Sequence, residues 1–132
     1  MTRGDDRAAV LAVEAQFYDA MRRLHRDPAA LGELLAVWSQ GDDVSTMNAR
    51  GGVERGWEAV RDRWTWWASQ GVPMEAERIE HLAFAAGAEV AYSVALEHHA
   101  TRTLRVTHGY RREGGAWKLA HRHADSLVGR QG

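Results

Sequence analysis

Three histidines and a carboxylate stand close together near the end of this sequence: His108, His121, His123 and Asp125, within LRVTHGYRREGGAWKLAHRHAD from Leu104 to Asp125. Imidazole is the side chain whose ordinary pKa lies nearest neutrality, so a histidine oriented by a carboxylate is suited to moving a proton. His123 is expected as general base, Asp125 as the group that orients it, and His108 or His121 as hydrogen-bond donor to a developing oxyanion. Proton abstraction beside a carbonyl, as in isomerisation or aldol cyclisation, needs little more. The same residues also fit a purely structural network, with His108 and His121 sharing a proton across strands and Asp125 closing a strand end. A third reading is a metal site, since His121 and His123 two apart, His108 opposite and Asp125 beyond make an N/O ligand set. Alternation along a strand explains that spacing equally well, and no metal is expected.

The elements that carry these groups follow from periodicity. Gly114-Gly115 reads as the two-residue turn of a hairpin in which Glu113 faces Ala116. Counting back, Arg112 faces Trp117, Tyr110 faces Leu119, His108 faces His121, Val106 faces His123 and Leu104 faces Asp125, all on one side of the sheet. That side also carries the apolar residues, so it is the side a helix should cover; Arg105, Thr107, Arg111, Lys118, Arg122 and Ser126 form the polar side. A three-residue turn at Ala100 to Arg102 extends the pattern, placing Tyr92, Val94 and Leu96 on the apolar side and Glu97 beside Arg105 on the other. A two-residue turn would reverse the faces of that strand. His98-His99, adjacent and near the turn, read as a solvated pair.

Upstream, Val10, Val13, Phe17, Met21 and Leu24 recur at helical spacing between Ala8 and His25, with Asp5 and Asp6 at the favourable N-terminal end. Asp27 and Pro28 read as the start of a short second helix running to about Val37. DDVSTMN reads as a strand and ARGGVERG as a glycine-punctuated loop. Trp57, Val60, Trp64 and Trp67 then mark a third helix ending near Gly71. Strands are expected near Met74 to Phe84, Val90 to His99, Thr103 to Arg112 and Ala116 to Leu127. The predicted order is helix, helix, strand, helix, then four strands: an α+β domain with a curved antiparallel sheet covered on one face.

Composition bounds the function. A chain of 132 residues makes one domain, 1–132. A formal net charge of −1 gives no reason to expect a nucleic-acid partner. With no cysteine there is no disulfide, thiolate nucleophile or cysteine-ligated metal. Neither a signal peptide nor a membrane-spanning apolar run is evident, so a cytoplasmic protein without a membrane partner is expected. ARGGVERG lacks the spacing of phosphate-binding loops, and no cofactor is expected. Ser126 falls on the opposite side of its strand from His123 and Asp125, which leaves no serine triad.

The stretches VWSQGDDVSTMNARGGVERGWEAV, EVAYSVALE and LRVTHGYRREGGAWKLAHRHAD resemble the SnoaL-like branch of the nuclear transport factor 2-like superfamily. Trp38-Ser39 with Asp42-Asp43, Gly51-Gly52, Gly56-Trp57 and the closing Trp117-Lys118 with His121 to Asp125 carry the resemblance, which spans helix one to Asp125. It implies a cone of curved sheet and helices around an apolar pocket, and a homodimer formed through the outer sheet surface. The superfamily hosts isomerases, polyketide cyclases, epoxide hydrolases, dehydratases and binding modules, so the fold does not settle the function. The general-base aspartate and oxyanion hole of ketosteroid isomerases find no counterpart set here.

The expected role is binding of a small, largely apolar carbonyl compound, with isomerase or cyclase chemistry by His and Asp as the activity these residues can carry. The alternative is a dimeric binding or scaffold module without catalysis. Trp38, Tyr18, Trp64, Tyr92 and Tyr110 are the expected ligand-lining residues; Trp57, Trp67 and Trp117 are expected in the core.

Overall fold

The computed structural model describes residues 3–130 and 132; Met1, Thr2 and Gln131, which the expected domain 1–132 includes, lie outside the described residues. Helix α1 (Arg3–Arg23) has Asp5 and Asp6 in its first turn and Arg22 and Arg23 in its last, the charge order that suits a helix dipole. Its buried stripe is Val10, Glu14, Phe17, Tyr18 and Met21. A carboxylate thus occupies a position that helical spacing reserves for the core, and Val13, expected there, is only half-buried. Helix α2 (Ala30–Ala36) follows a turn in which the Asp27 carboxylate accepts from the Ala29 backbone N–H at 3.0 Å. Helix α3 (Trp57–Gln70) buries Val60, Trp64 and Trp67 and ends on Gly71 in the left-handed conformation.

The strands are β1 (Ser45–Asn48), β2 (Gly51–Arg55), β3 (Arg78–Ala86), β4 (Val90–His98), β5 (Thr103–Glu113) and β6 (Ala116–Ser126). They form one curved sheet in the order β2-β1-β6-β5-β4-β3. The glycine-rich stretch expected as a loop is therefore largely strand β2, paired antiparallel to β1. The sheet is mixed rather than wholly antiparallel, because β1 runs parallel to β6. The main apolar core lies between the three helices and the concave face, built around Phe17, Met21, Leu34, Trp38, Val60, Trp64, Trp117 and Leu119, with a smaller buried cluster of Leu104, Val106 and Ala124 beside it. No described helix is long and apolar enough to cross a membrane.

Two parity events decide what that concave face presents. The hairpin turn stands as expected, with Gly114 and Gly115 both at positive φ and Tyr110 opposite Leu119. The register then slips: Gly109 pairs with His121, so Ala120 is an extra residue, a β-bulge. Beyond it Arg122 and Ala124 turn inward, while His121, His123 and Asp125 turn outward. In the next hairpin His98 pairs with Thr103, leaving four residues in the turn rather than three. Strand β4 is accordingly reversed, with Ser93, Ala95 and Glu97 buried and Tyr92 47% exposed.

Candidate functional site

The inward residues assemble a polar network inside an apolar surround. Glu14 of α1 stands at one end, with only 3% of its surface exposed. Its Oε2 accepts from Tyr110 Oη at 2.5 Å and Ser93 Oγ at 2.7 Å, and lies 2.9 Å from His108 Nδ1; its Oε1 lies 2.5 Å from His81 Nε2. Glu97 of β4, fully buried, stands at the other end. Arg122 grips it with two parallel bonds, 3.0 Å to Oε2 and 3.1 Å to Oε1. Tyr18 Oη donates to the same carboxylate at 2.8 Å, and His99 Nε2 lies 2.7 Å from Oε1. The halves meet where Arg122 Nη1 approaches His108 Nε2 at 2.9 Å.

The donors fix the protonation pattern. A guanidinium can only donate, so His108 Nε2 must accept and Nδ1 carries the proton toward Glu14. Burial pushes the His108 pKa below its ordinary value, and the Arg122 charge adds to this against the pull of Glu14. Burial alone would raise both carboxyls. At Glu14, hydrogen bonds from His108, Tyr110 and His81 overcome it; at Glu97, the Arg122 charge and bonds from His99, Arg122 and Tyr18 do. Both carboxyls are held well below the usual carboxylate range. The Tyr18 and Tyr110 hydroxyls are raised, chiefly by burial, and stay protonated donors.

A half-open cavity lies against the Glu97 end of this network. Its floor is Glu97, His99 and Arg122; its apolar wall includes Met21, Trp64, Trp67, Met74 and Leu104; Arg50 and Arg102 also line it. The Trp64 indole N–H and Arg122 Nε are buried and find no acceptor among the described residues. His99 with Glu97 is a histidine–carboxylate dyad whose Nδ1 has no hydrogen-bond partner among the described residues. Arg122 beside it is a fixed cation, able to stabilise negative charge that develops on an oxygen.

The expected site residues are distributed differently from the expected cluster. His108 and Tyr110 sit in the buried network, Tyr18 touches Glu97, and Trp64 lines the cavity. His121, His123 and Asp125 are corrected to the outer face, because the bulge at Ala120 inverts their strand. There His121 Nδ1 lies 2.8 Å from Ser45 Oγ, and Asp125 accepts from Arg105 at 2.9 Å. The His123 ring is about half exposed, 3.7 Å from Asp125. Tyr92 is likewise outside, and Trp38 is packed in the core against β6 rather than at a pocket mouth. His98 and His99 are not a solvated pair: His98 bonds Glu80 and Thr103, and His99 turns to Glu97. Because His108 faces away from His121 and His123, the N/O set weighed for metal does not converge. No group of three potential ligands does so among the described residues.

Glu14, Ser93, Glu97 and Arg122 were not expected at the site from sequence, and His99 was read only as half of a solvated pair. A signal existed for Glu14, four residues after Val10 and three before Phe17. One existed for Glu97 too, in the alternation Ala91, Ser93, Ala95, Glu97 of small residues under a helix. Arg122 had none.

The sequence pattern of the SnoaL-like domain matches residues 10–128. Among solved structures, a protein of Streptomyces avermitilis, assigned provisionally as a dehydratase of the nuclear transport factor 2-like family, is similar at 18% identity. It covers 97% of this chain and 100% of its own, with a TM-score of 0.76. A protein from Thiobacillus denitrificans, assigned provisionally as a calcium/calmodulin-dependent protein kinase type II association domain, is similar at 22% identity over 89% of this chain and 94% of its own, with a TM-score of 0.74. A nuclear transport factor 2-like protein of unknown function from Pseudomonas putida is similar at 19% identity, 92% and 87% coverage and a TM-score of 0.68. At these identities the likeness is one of fold. No curated protein matches the chain.

Proposed function

The chain belongs to the SnoaL-like domain family, and we propose that it binds a small organic carbonyl compound in its cavity and moves a proton on it without a cofactor. The reaction class is isomerisation, cyclisation or a lyase reaction. The observation that carries this reading is the Glu97 carboxylate, buried and held at both oxygens by Arg122 while its Oε1 also orients His99 at the cavity floor. The histidine–carboxylate chemistry expected of His123 and Asp125 thus passes to His99 and Glu97. His99 Nδ1 takes the proton from the carbon beside the carbonyl; Arg122 Nε and the Trp64 N–H, which lack acceptors, are suited to receive the enolate oxygen. Returning the proton to another carbon completes an isomerisation; attack of the enolate carbon on a second carbonyl of the same molecule, with the proton passing from His99 to the new alkoxide, completes a cyclisation. The provisional dehydratase assignment of the Streptomyces relative is compatible with the same proton abstraction.

The test is deuterium incorporation from D2O into a panel of ketones and keto acids, followed by NMR. Wild-type protein is expected to exchange protons beside the carbonyl, and His99→Asn to lose about a hundredfold or more in rate. No exchange with any compound, or equal exchange by His99→Asn, overturns the reading. Exchange that persists in His99→Asn but is lost in His123→Ala would return the chemistry to the outer face.

A homodimer through the outer sheet surface belongs to the same proposal. Leu82, Val90, Tyr92 and Leu127 are exposed apolar residues of the sheet and of its last strand's end, and a second copy is the partner that would cover them.

A further inference from the structure

The charges around the cavity restrict what it can hold. Three arginines, Arg50, Arg102 and Arg122, and His99 line it against one carboxylate, Glu97. That carboxylate is already spent: Arg122, Tyr18 and His99 occupy both its oxygens. Arg122 and Glu97 cancel, which leaves Arg50 and Arg102 as uncompensated positive charge on a chain whose formal net charge is −1. Arg61, Arg105 and Arg111 pair with aspartates, whereas Arg50 stacks over Trp67 at 5.2 Å and Arg102 has no acidic partner among the described residues. Positive charge left unpaired beside a low-dielectric wall attracts an anion more strongly than the same charge in open water.

An independent observation points the same way. The Trp64 N–H and Arg122 Nε, both in cavity-lining residues exposed to only 3%, are donors without acceptors. Buried donors of this kind cost stability unless something supplies oxygen to them, and hydrocarbon cannot. Apart from the Asn48 amide, the remaining wall of Met21, Trp67, Val72, Pro73, Met74 and Leu104 offers only the indole edge as a polar group and favours an apolar body.

We propose that the cavity is selective for small apolar carboxylates, with Arg102 as the residue that pairs with the acid group and Arg50 as a supporting charge. This rests on the reading of the cavity as a small-molecule site and names its ligand class. Arg102 acts in binding and Glu97 with His99 in proton movement, so the two roles separate in experiment. Guanidinium and carboxylate match in shape as well as in charge, through two parallel N–H···O bonds.

The test compares phenylacetate with phenylacetamide, which share an aromatic body and differ in charge, by titrating tryptophan fluorescence at low ionic strength. Wild-type protein is expected to bind the acid at least about tenfold more tightly than the amide. Arg102→Gln should reduce that preference to about twofold or less, while Arg61→Gln, on an exposed helix face, should keep it. Equal binding of acid and amide by wild type, or an unchanged preference in Arg102→Gln, overturns the ligand class while leaving the cavity's proton chemistry to be judged by deuterium exchange. Absence of saturable binding by either probe overturns the inference outright; together with absent exchange it removes the small-molecule reading as well.

Discussion

At the scale of single residues, the buried Glu97–Arg122 pair is the energetic hinge of the site. Each ion was taken out of water and is offset by the other, so removing one partner leaves an uncompensated charge in the interior. Glu97→Gln is expected to cost about 3–5 kcal/mol in urea unfolding, because the guanidinium loses its counter-charge. The double variant Glu97→Gln with Arg122→Met should be more stable than the sum of the two singles by at least about 0.5 kcal/mol, since the pair is in direct contact. Additive losses would show that the two side chains do not depend on one another. Phe17, over which the Arg122 guanidinium sits at 5.3 Å, and the His108 ring edge against it keep the charge fixed in place.

At the scale of elements, one extra residue in β6 decides which groups face the cavity. Before Ala120, Trp117 and Leu119 pack on the core; after it, Arg122 and Ala124 do. Deleting Ala120 would remove the extra residue and leave His121 opposite Gly109, with Arg122 and Ala124 still inward. Inserting one alanine between His121 and Arg122 would instead drive His123 and Asp125 inward and expel Arg122 from Glu97. The insertion variant is expected to lose more than about 4 kcal/mol, the range reserved for buried unpaired charges and broken networks, and to show a collapsed amide spectrum in NMR. A folded insertion variant with near-native stability would show that the network does not set the strand's register. Trp117→Ala on the near side of the bulge, where the face was legible, should cost about 3–5 kcal/mol by thermal unfolding.

At the scale of the whole molecule, pH acts on the network through linkage. His108 is held below its ordinary 6.5, and Glu14 and Glu97 below their ordinary 4.5. In each case the unfolded chain binds the proton more readily than the folded one, so stability rises with pH. The His108 contribution is complete above 6.5 and is lost as pH falls below it; the carboxylate contributions are complete above 4.5 and are lost on further acidification. His121, lowered by burial and by the neighbouring His123, adds with the same sign in the upper window. Urea midpoints should therefore be level above about pH 7 and decline in two stages below it, with the upper stage reduced in His108→Gln. A single decline confined below pH 4.5 would show that His108 is not held neutral. The outer face supplies a second whole-molecule expectation. In sedimentation the chain should run at twice its 14.7 kDa mass, and the double variant Leu82→Lys with Tyr92→Lys as a monomer. A wild-type monomer at tens of micromolar would remove the dimer from the proposal, since stable interfaces dissociate only below that range.

The features legible before folding are those written in local pattern. Helical spacing marked α1 and α3, Gly114-Gly115 marked the hairpin, and strict alternation from Val106 to Tyr110 placed His108 and Tyr110 on the covered face. The element order and the resemblance carried by Trp38-Ser39, Gly56-Trp57 and the last strand were enough for the α+β cone. Parity came instead from long-range packing: whether a turn holds three residues or four, and whether a strand keeps count through Ala120. A bulge or an even-numbered turn costs little locally and leaves no mark in residue type. It is selected because Arg122 must reach Glu97, 25 positions away, and His108 must reach Glu14, 94 positions away. Period-two reasoning carries one error of count to every later residue of the strand, so His121, His123 and Asp125 were all reversed together. Those long-range pairings are bonds between elements, and no single element encodes them.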